Sequence, residues 1–192
     1  MKAPKSVNIV SISEKQNKNS SEIADRYRWN IEFVCEDTMR LSSLQDNEYD
    51  LVYTSNGVHV WISDLDSMYR NIKRILKDDG TYIMFDIHPF MRPFGTSAQN
   101  SLRIHKPYDL TGPFGEVPIY KWRIQDIMNA MISSDLIISR IEEMYAEDGT
   151  FWIDDSEVDL INLSQDVISK YCDWRLNPLA ALPQWLSIQA LK

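Results

Sequence analysis

An α/β protein built on a mostly parallel sheet with helices on both faces is what this sequence predicts, from three observations. The strand-like segments are continuous apolar runs, not alternating ones: VNIVSIS (7–13), IEFVCED (31–37), YDLVYTS (49–55) and TYIMFD (81–86). Runs of this kind suit strands covered on both sides, as in parallel sheets. The segments between them have helical character, so strand and helix alternate, which is the rhythm of crossover-linked parallel strands. The 192 residues are enough for one domain and one core.

Taken in order, 7–13 is β-branched and reads as a buried strand. Residues 14–27 are polar and form a weak helix, best from Ser21 to Tyr27. IEFVCED and YDLVYTS are the second and third strands. Ser63 can cap the next helix, with Asp66 three residues on. Leu65, Met68, Tyr69, Ile72, Ile75 and Leu76 give that helix one apolar face. Lys73, Arg74 and Lys77 suit its C-terminal dipole, and Gly80 lies just beyond. After the fourth strand, residues 88–120 hold five of the eight Pro and three of the six Gly. A long irregular stretch leaving the carboxyl end of a strand is placed to act as a lid. Ile124, Ile127, Met128, Met131 and Ile132 mark another helix, 136–145 a strand, a region near 158–171 a helix, and 184–192 a terminal strand. The whole of 1–192 reads as a single domain, with a lid-like insertion at 88–120 and an acidic insertion at 146–172.

Composition narrows the function. Net charge is −8 and the pI about 4.9, with no basic patch, so a nucleic-acid backbone is not an expected partner. No apolar run approaches a membrane span, and the N-terminus has no secretion-signal core. Two Cys, Cys35 and Cys172, make neither a zinc site nor a disulfide framework, so a reducing cytoplasm is the expected compartment and no metal site is expected. Residues 141–169 carry nine acids and no Lys or Arg, either as a solvated excursion or as an acidic rim for a cationic partner or substrate.

The block YDLVYTSNGVHVWISDLDSMYRNIKRILKDDGTYIMFDIHPF (49–90) resembles the middle of a class I S-adenosylmethionine-dependent methyltransferase. It shows an acid-led strand, a Trp-containing segment, an amphipathic helix and a turn, Lys77-Asp78-Asp79-Gly80, into the next strand. His88-Pro89-Phe90 and the tail DWRLNPLAALPQWLSIQALK (173–192) are similar to a small-molecule branch of that family. VNIVSISEKQ and IEFVCEDTMRL match in order, so the resemblance covers most of the chain. It implies a Rossmann-like methyltransferase fold. The family's Gly-rich loop after its first strand is missing: the first Gly is Gly57, and VNIVSIS aligns with the family's second strand. The chain therefore reads as N-terminally truncated or degenerate. The same absence excludes a nicotinamide-binding fingerprint.

The resemblance implies S-adenosylmethionine as cofactor, held by Ser11 and Ile12 at the ribose, Asp37 and Thr38 at the adenine, and Ser55, Asn56 and Gly57 at the methionine end. Ser11 stands where the family has a carboxylate, and together with the missing Gly-rich loop this predicts weak or absent cofactor binding by the chain alone. Asp37 is alternatively a turn cap, and Ser55–Gly57 a plain strand-to-helix turn. Trp61 and Phe90 are candidate walls of the acceptor cleft, with a core role the other reading for Trp61. His59 and His88 are the acid/base candidates near strand ends, each alternatively a hydrogen-bonded loop histidine. The implied activity is methyl transfer to a small molecule; the alternative is a non-catalytic, degenerate member acting as a binding or interaction subunit. In the family the missing strand is central. Two remedies are expected for its loss: 7–12 pairs directly with 50–55, or a strand from a second copy or another protein fills the gap, with a homodimer the favoured form.

Overall fold

The computed structural model describes residues 6–94, 102–152 and 164–192. Strand β1 (Val7–Val10) leads into helix α1 (Glu14–Tyr27) and strand β2 (Ile31–Val34). Strand β3 (Tyr49–Thr54), helix α2 (Leu65–Ile75) and strand β4 (Leu76–Ile87) follow. Helix α3 (Ile124–Ser133), strand β5 (Ile137–Met144), helix α4 (Gln165–Lys170) and strand β6 (Trp185–Leu191) complete the chain.

Local chemistry sets the boundaries. Helix α1 runs its full length, beyond the Ser21 start that its polar sequence predicts. Its N-cap, Ser13, accepts from the Gln16 N–H, and the buried Asn17 amide donates to the carbonyls of both Ser11 and Val34. One amide thus ties β1, α1 and β2 into a unit, compensating a weak propensity with tertiary hydrogen bonds. Helix α2 is capped by Asp64, not by Ser63. The Asp64 carboxylate accepts from the Ser67 N–H at 3.0 Å, while the Ser63 hydroxyl turns to the Met39 sulfur. The helix stops at Ile75 and β4 begins at once, so Gly80 lies in the irregular start of the strand. A side chain there would sit 2.8 Å from the Lys77 carbonyl. The helix predicted near 158–171 is present over Gln165–Lys170, and residues 153–163 lie outside the described residues.

The strands form two sheets, with orders β1-β2 and β3-β4-β6-β5. β1 and β2 are parallel, as are β3 and β4, and β6 runs antiparallel to both its neighbours. Helices α2 and α3 cover one face of the larger sheet. Met68, Tyr69 and Ile72 from α2 and Ile127 and Met131 from α3 close over Tyr82, Met84, Leu186 and Ile188. The opposite face leaves Leu51 54% and Tyr53 55% exposed. A second cluster, Leu41, Leu44 and Ile75, is packed by Val10 and Val34 from one sheet and by Tyr49 and Val52 from the other.

Among the described residues β1 pairs only with β2 and β3 only with β4, so each has one edge without a partner there. Pairing of 7–12 with 50–55 does not occur. The Leu41–Leu44–Ile75 cluster, with Val10 and Val34 on one side and Tyr49 and Val52 on the other, occupies the junction of the sheets, so a slide of the β1–α1–β2 unit toward β3 would cost that packing.

The segment after β4 is folded against the chain over its described parts. It has a 3-10 turn at Pro89–Met91, bridges between Phe94 and Ile104 and between Phe114 and Ile119, and a bond from the Tyr120 N–H to the Val60 carbonyl. Residues 95–101, the middle of the lid-like insertion, lie outside the described residues. Among the described residues no helix is long and apolar enough to cross a membrane.

Candidate active site at the carboxyl ends of the strands

Open α/β sheets bind ligands beyond the carboxyl ends of their strands. The candidate cofactor residues follow β1, β2 and β3 in this way. Ser11 closes β1, its N–H reaching the Val34 carbonyl; its hydroxyl donates to Gln16 Oε1 at 3.0 Å and accepts from the Ser13 N–H. Ile12 is exposed, and its carbonyl meets the Cys35 thiol. Beyond β2, one Asp37 carboxylate oxygen accepts the Met39 N–H at 2.9 Å, and the Asp37 carbonyl takes the N–H groups of Arg40 and Leu41. The Thr38 carbonyl accepts from Asn71 of α2. Ser55 and Asn56 are exposed after β3. Gly57 has φ +87°, a left-handed conformation that suits glycine, and a Cβ there would meet nothing within 4 Å. Trp61 is exposed, and Phe90 packs its ring against His88 and Tyr108.

Both histidines are buried and fully engaged. His59 is 4% exposed, with Nδ1 2.9 Å from Asp86 Oδ2 and Nε2 2.9 Å from the Tyr69 hydroxyl. His88 has no exposed surface; its Nδ1 accepts from the Phe90 N–H, so the neutral ring presents its proton on Nε2 to Glu143, 2.8 Å away. To take a substrate proton, either ring must first surrender one of these bonds.

The organising group is Asp86, the last acid of an apolar strand. Its Oδ1 accepts the N–H groups of Gly57 and Ile87, its Oδ2 faces His59, and Arg92 Nη2 lies 3.5 Å away. Burial pushes the Asp86 pKa up, but the His59 bond and charge, the Gly57 N–H and Arg92 together pull it below the ordinary value. Burial holds the Tyr69 phenol well above its ordinary range, so it is a neutral hydrogen-bonding partner of His59. Through Asp86 the turn after β3 is clamped to the end of β4. Sequence spacing places Tyr69 on the apolar face of α2 and marks neither its hydroxyl nor Asp86 and Arg92 as site groups; the available signal is a lone acid terminating TYIMFD with a histidine two residues on.

Beside this clamp is a small indentation lined by His59, Asp86, Arg92, Tyr120, Trp122 and Ile127 among others, with room for about one water molecule.

These features define a class: an open α/β protein whose polar residues gather at one end of the sheet, as in enzymes that bind nucleotide-like cofactors. Residues 2–84 match the family described as "Methyltransferase domain", so the N-terminal part of this chain carries that family's sequence pattern. The resemblance to class I S-adenosylmethionine-dependent methyltransferases is also met by the fold. An S-adenosylmethionine-dependent methyltransferase from Mesorhizobium loti superposes with a TM-score of 0.66 at 17% identity, over 97% of this chain and 80% of that one. The cyclase SpnF gives 0.63 at 14% identity, over 97% of this chain and 66% of that one. Geranyl diphosphate C-methyltransferase from Streptomyces coelicolor A3(2), solved with Mg2+, geranyl diphosphate and S-adenosylhomocysteine, gives 0.61 at 15% identity, over 96% and 64%. At these identities the likeness establishes the methyltransferase fold. A search of curated sequences finds no match.

The strand ends fit S-adenosylmethionine in part. The open space over Gly57 and the carboxylate of Asp37 suit the cofactor's two ends. Ser11 brings a hydroxyl that is already bonded to Gln16 and Ser13.

Proposed function

We propose that the chain transfers the methyl group of S-adenosylmethionine to a small molecule at the carboxyl ends of its strands. The observation that carries this reading is the methyltransferase sequence pattern over 2–84, combined with candidate cofactor residues that fall at the ends of β1, β2 and β3 in the structure. When bound, the cofactor supplies an electrophilic methyl on a sulfonium. Asp37, Thr38, Asn56 and Gly57 would hold it, and Trp61 and Phe90 would flank the acceptor. The work of the protein is then alignment of an acceptor lone pair with that methyl, the kind of task in which positioning lowers the barrier most. His59 and His88 serve here as positioning residues: His59 with Asp86 fixes the Gly57 turn, and His88 with Glu143 fixes the start of the 89–91 turn. The stretch 88–120 acts as the lid.

The unpaired edges of β1 and β3, together with exposed Leu51 and Tyr53, support closure by a second copy of the chain. Light scattering should report a dimer; a monomer of about 22.4 kDa would reject that part of the reading. The cofactor reading is tested by calorimetric titration with S-adenosylmethionine and S-adenosylhomocysteine, followed by a methyl-transfer assay. Saturable heat with both is expected, and the absence of heat with either overturns it.

A further inference from the structure

The loop between β2 and β3, residues 35–48, carries Asp37 and Thr38 and has no helix or strand of its own. Without a ladder, a loop of this length must satisfy much of its backbone through side chains. Two residues three apart on α2, and so on one face of that helix, do this. Asn71 donates from Nδ2 to the Thr38 carbonyl at 3.3 Å. Arg74 donates from Nη2 to the Leu41 carbonyl at 2.5 Å, and from Nη1 to the Leu44 carbonyl at 2.8 Å and Asp46 Oδ1 at 2.5 Å.

The hold matters most at Leu41. Its φ is +42°, in the left-handed region that a leucine seldom enters. Arg74 takes its carbonyl, while its N–H donates to the Asp37 carbonyl at 3.0 Å, beside the Arg40 N–H at 2.9 Å. Asp37 Oδ1 closes the same turn on the Met39 N–H. A single residue therefore links the Arg74 fork to the turn that carries Asp37. Among the described residues, the other Asp37 oxygen and the Thr38 N–H have no hydrogen-bond partner. They are a free acceptor and a free donor on adjacent residues, the complement of an amino group next to a ring nitrogen.

The far end of the loop is held without these side chains. The Asn47 and Glu48 N–H groups bond to the Arg74 and Ile75 carbonyls at 3.0 and 2.9 Å, and Leu41 and Leu44 pack on Ile75. The Arg74 side chain itself is 30% exposed, so the core does not depend on its guanidinium.

We propose that Arg74 and Asn71 are positioning residues for the adenine end of the cofactor. They touch no ligand; they fix the turn from Asp37 to Leu41, so that Asp37 and Thr38 meet the adenine amino group and its neighbouring ring nitrogen in one geometry. A polar pair held in this way discriminates more sharply than one on a loose loop. The identity of the ligand rests on the methyl-transfer reading; the hold on the turn does not.

The full 15N-labelled chain is titrated with adenosine and with inosine, which carries an oxygen in place of the amino group, and the Thr38 and Arg40 amide signals are followed. The wild type should prefer adenosine by about tenfold or more, because inosine leaves the Asp37 and Thr38 groups unpaired. Arg74→Met keeps the stem and removes the fork; it should cut that preference to under about threefold. It should also speed hydrogen exchange of the Arg40 and Leu41 amides by about tenfold or more, with those of Met84 and Ile188 in the core unchanged. A general loss of stability would move the core amides too and leave the preference alone. Asn71→Leu should lower the preference about threefold. Arg70→Met, the same change one turn earlier at an exposed position of α2, should leave preference and exchange as they are. If Arg74→Met loses its near-ultraviolet dichroism, Asn71→Leu decides. The proposal is overturned if Arg74→Met keeps the wild-type preference or the wild-type exchange of Arg40 and Leu41, or if Arg70→Met changes both as much. A wild type that binds S-adenosylhomocysteine without preferring adenosine to inosine overturns it and leaves the methyl-transfer reading in place. A wild type that binds neither nucleoside nor S-adenosylhomocysteine at up to about 10 mM rejects that reading and overturns the proposal with it.

Discussion

Replacing Asp86 by Ala removes the acceptor of the Gly57 N–H, the Ile87 N–H and the His59 ring, all at or below 3.1 Å. The His59 side chain is buried, so removing its partner should cost about 3–5 kcal/mol, the usual range when one member of a buried hydrogen-bonded ion pair is taken away. That is a large share of the roughly 5–15 kcal/mol available to a domain of this size. Asp86→Asn keeps the shape and can still accept from Gly57 and Ile87, but its NH2 faces His59 Nδ1 and forces the other tautomer. It should cost about 1–2 kcal/mol. Urea unfolding followed by dichroism reads both, with the midpoint falling and the slope unchanged. The pH dependence adds a second constraint. The folded pKa of Asp86 lies below the ordinary 3.8, so its stabilisation is complete above that value and is lost as the pH falls through it toward the folded pKa. Asp86→Asn should therefore show a shallower loss of stability below about pH 4 than the wild type. An Asp86→Ala midpoint within about 1 kcal/mol of wild type, or identical acid limbs in Asn variant and wild type, would refute the role given to this carboxylate.

Ser11→Asp restores a carboxylate at the end of β1, and calorimetry should show S-adenosylhomocysteine binding about tenfold more tightly; unchanged affinity would remove Ser11 from the site. Glu36, whose carboxylate takes hydrogen bonds first from Ser42 and Ser43 side chains and then from their N–H groups, should titrate by NMR near pH 2, and Ser42→Ala should move it back toward 4.5. Limited proteolysis should cut first within 88–120 and slow when S-adenosylhomocysteine is present; cleavage mainly within 141–169 would count against the lid.

The parts of this fold that could be read from the residues are those where one local pattern decides. The apolar runs located β1, β2 and β3, and the period of Leu65, Met68, Tyr69 and Ile72 located α2 and its buried face. Boundaries set by competition between neighbours were harder. Ser63 and Asp64 are both good caps, and only the position of Met39 shows which oxygen is free to serve the helix. The same holds at the site. Histidines at strand ends are legible as acid/base candidates, but their partners come from 10, 27 and 55 residues away, and no local spacing encodes that. Asp86 was visible as a strand end; its grip on Gly57 required the parallel pairing of β3 with β4, which sets Thr54 beside Met84 and so brings the two strand ends together.

The division of the sheet follows a similar logic, on a larger scale. Continuous apolar character says that a strand is buried on both faces, but not which neighbour supplies its hydrogen bonds. In β3 that ambiguity has a visible cost. Val52 and Thr54 point to the packed side, while Leu51 and Tyr53 carry the same apolar character to a face that the described helices leave open. The second edge of β1 could have met part of this demand by pairing with β3, but Leu41, Leu44 and Ile75 fill the space between the two sheets and keep the strands apart. In the proposed dimer the edge and open face of β3 are the surface that a second copy would cover. A dimer should therefore be lost on introducing charge there: Leu51→Lys with Tyr53→Glu should yield a folded monomer by light scattering, and a dimer that survives both changes must use another surface.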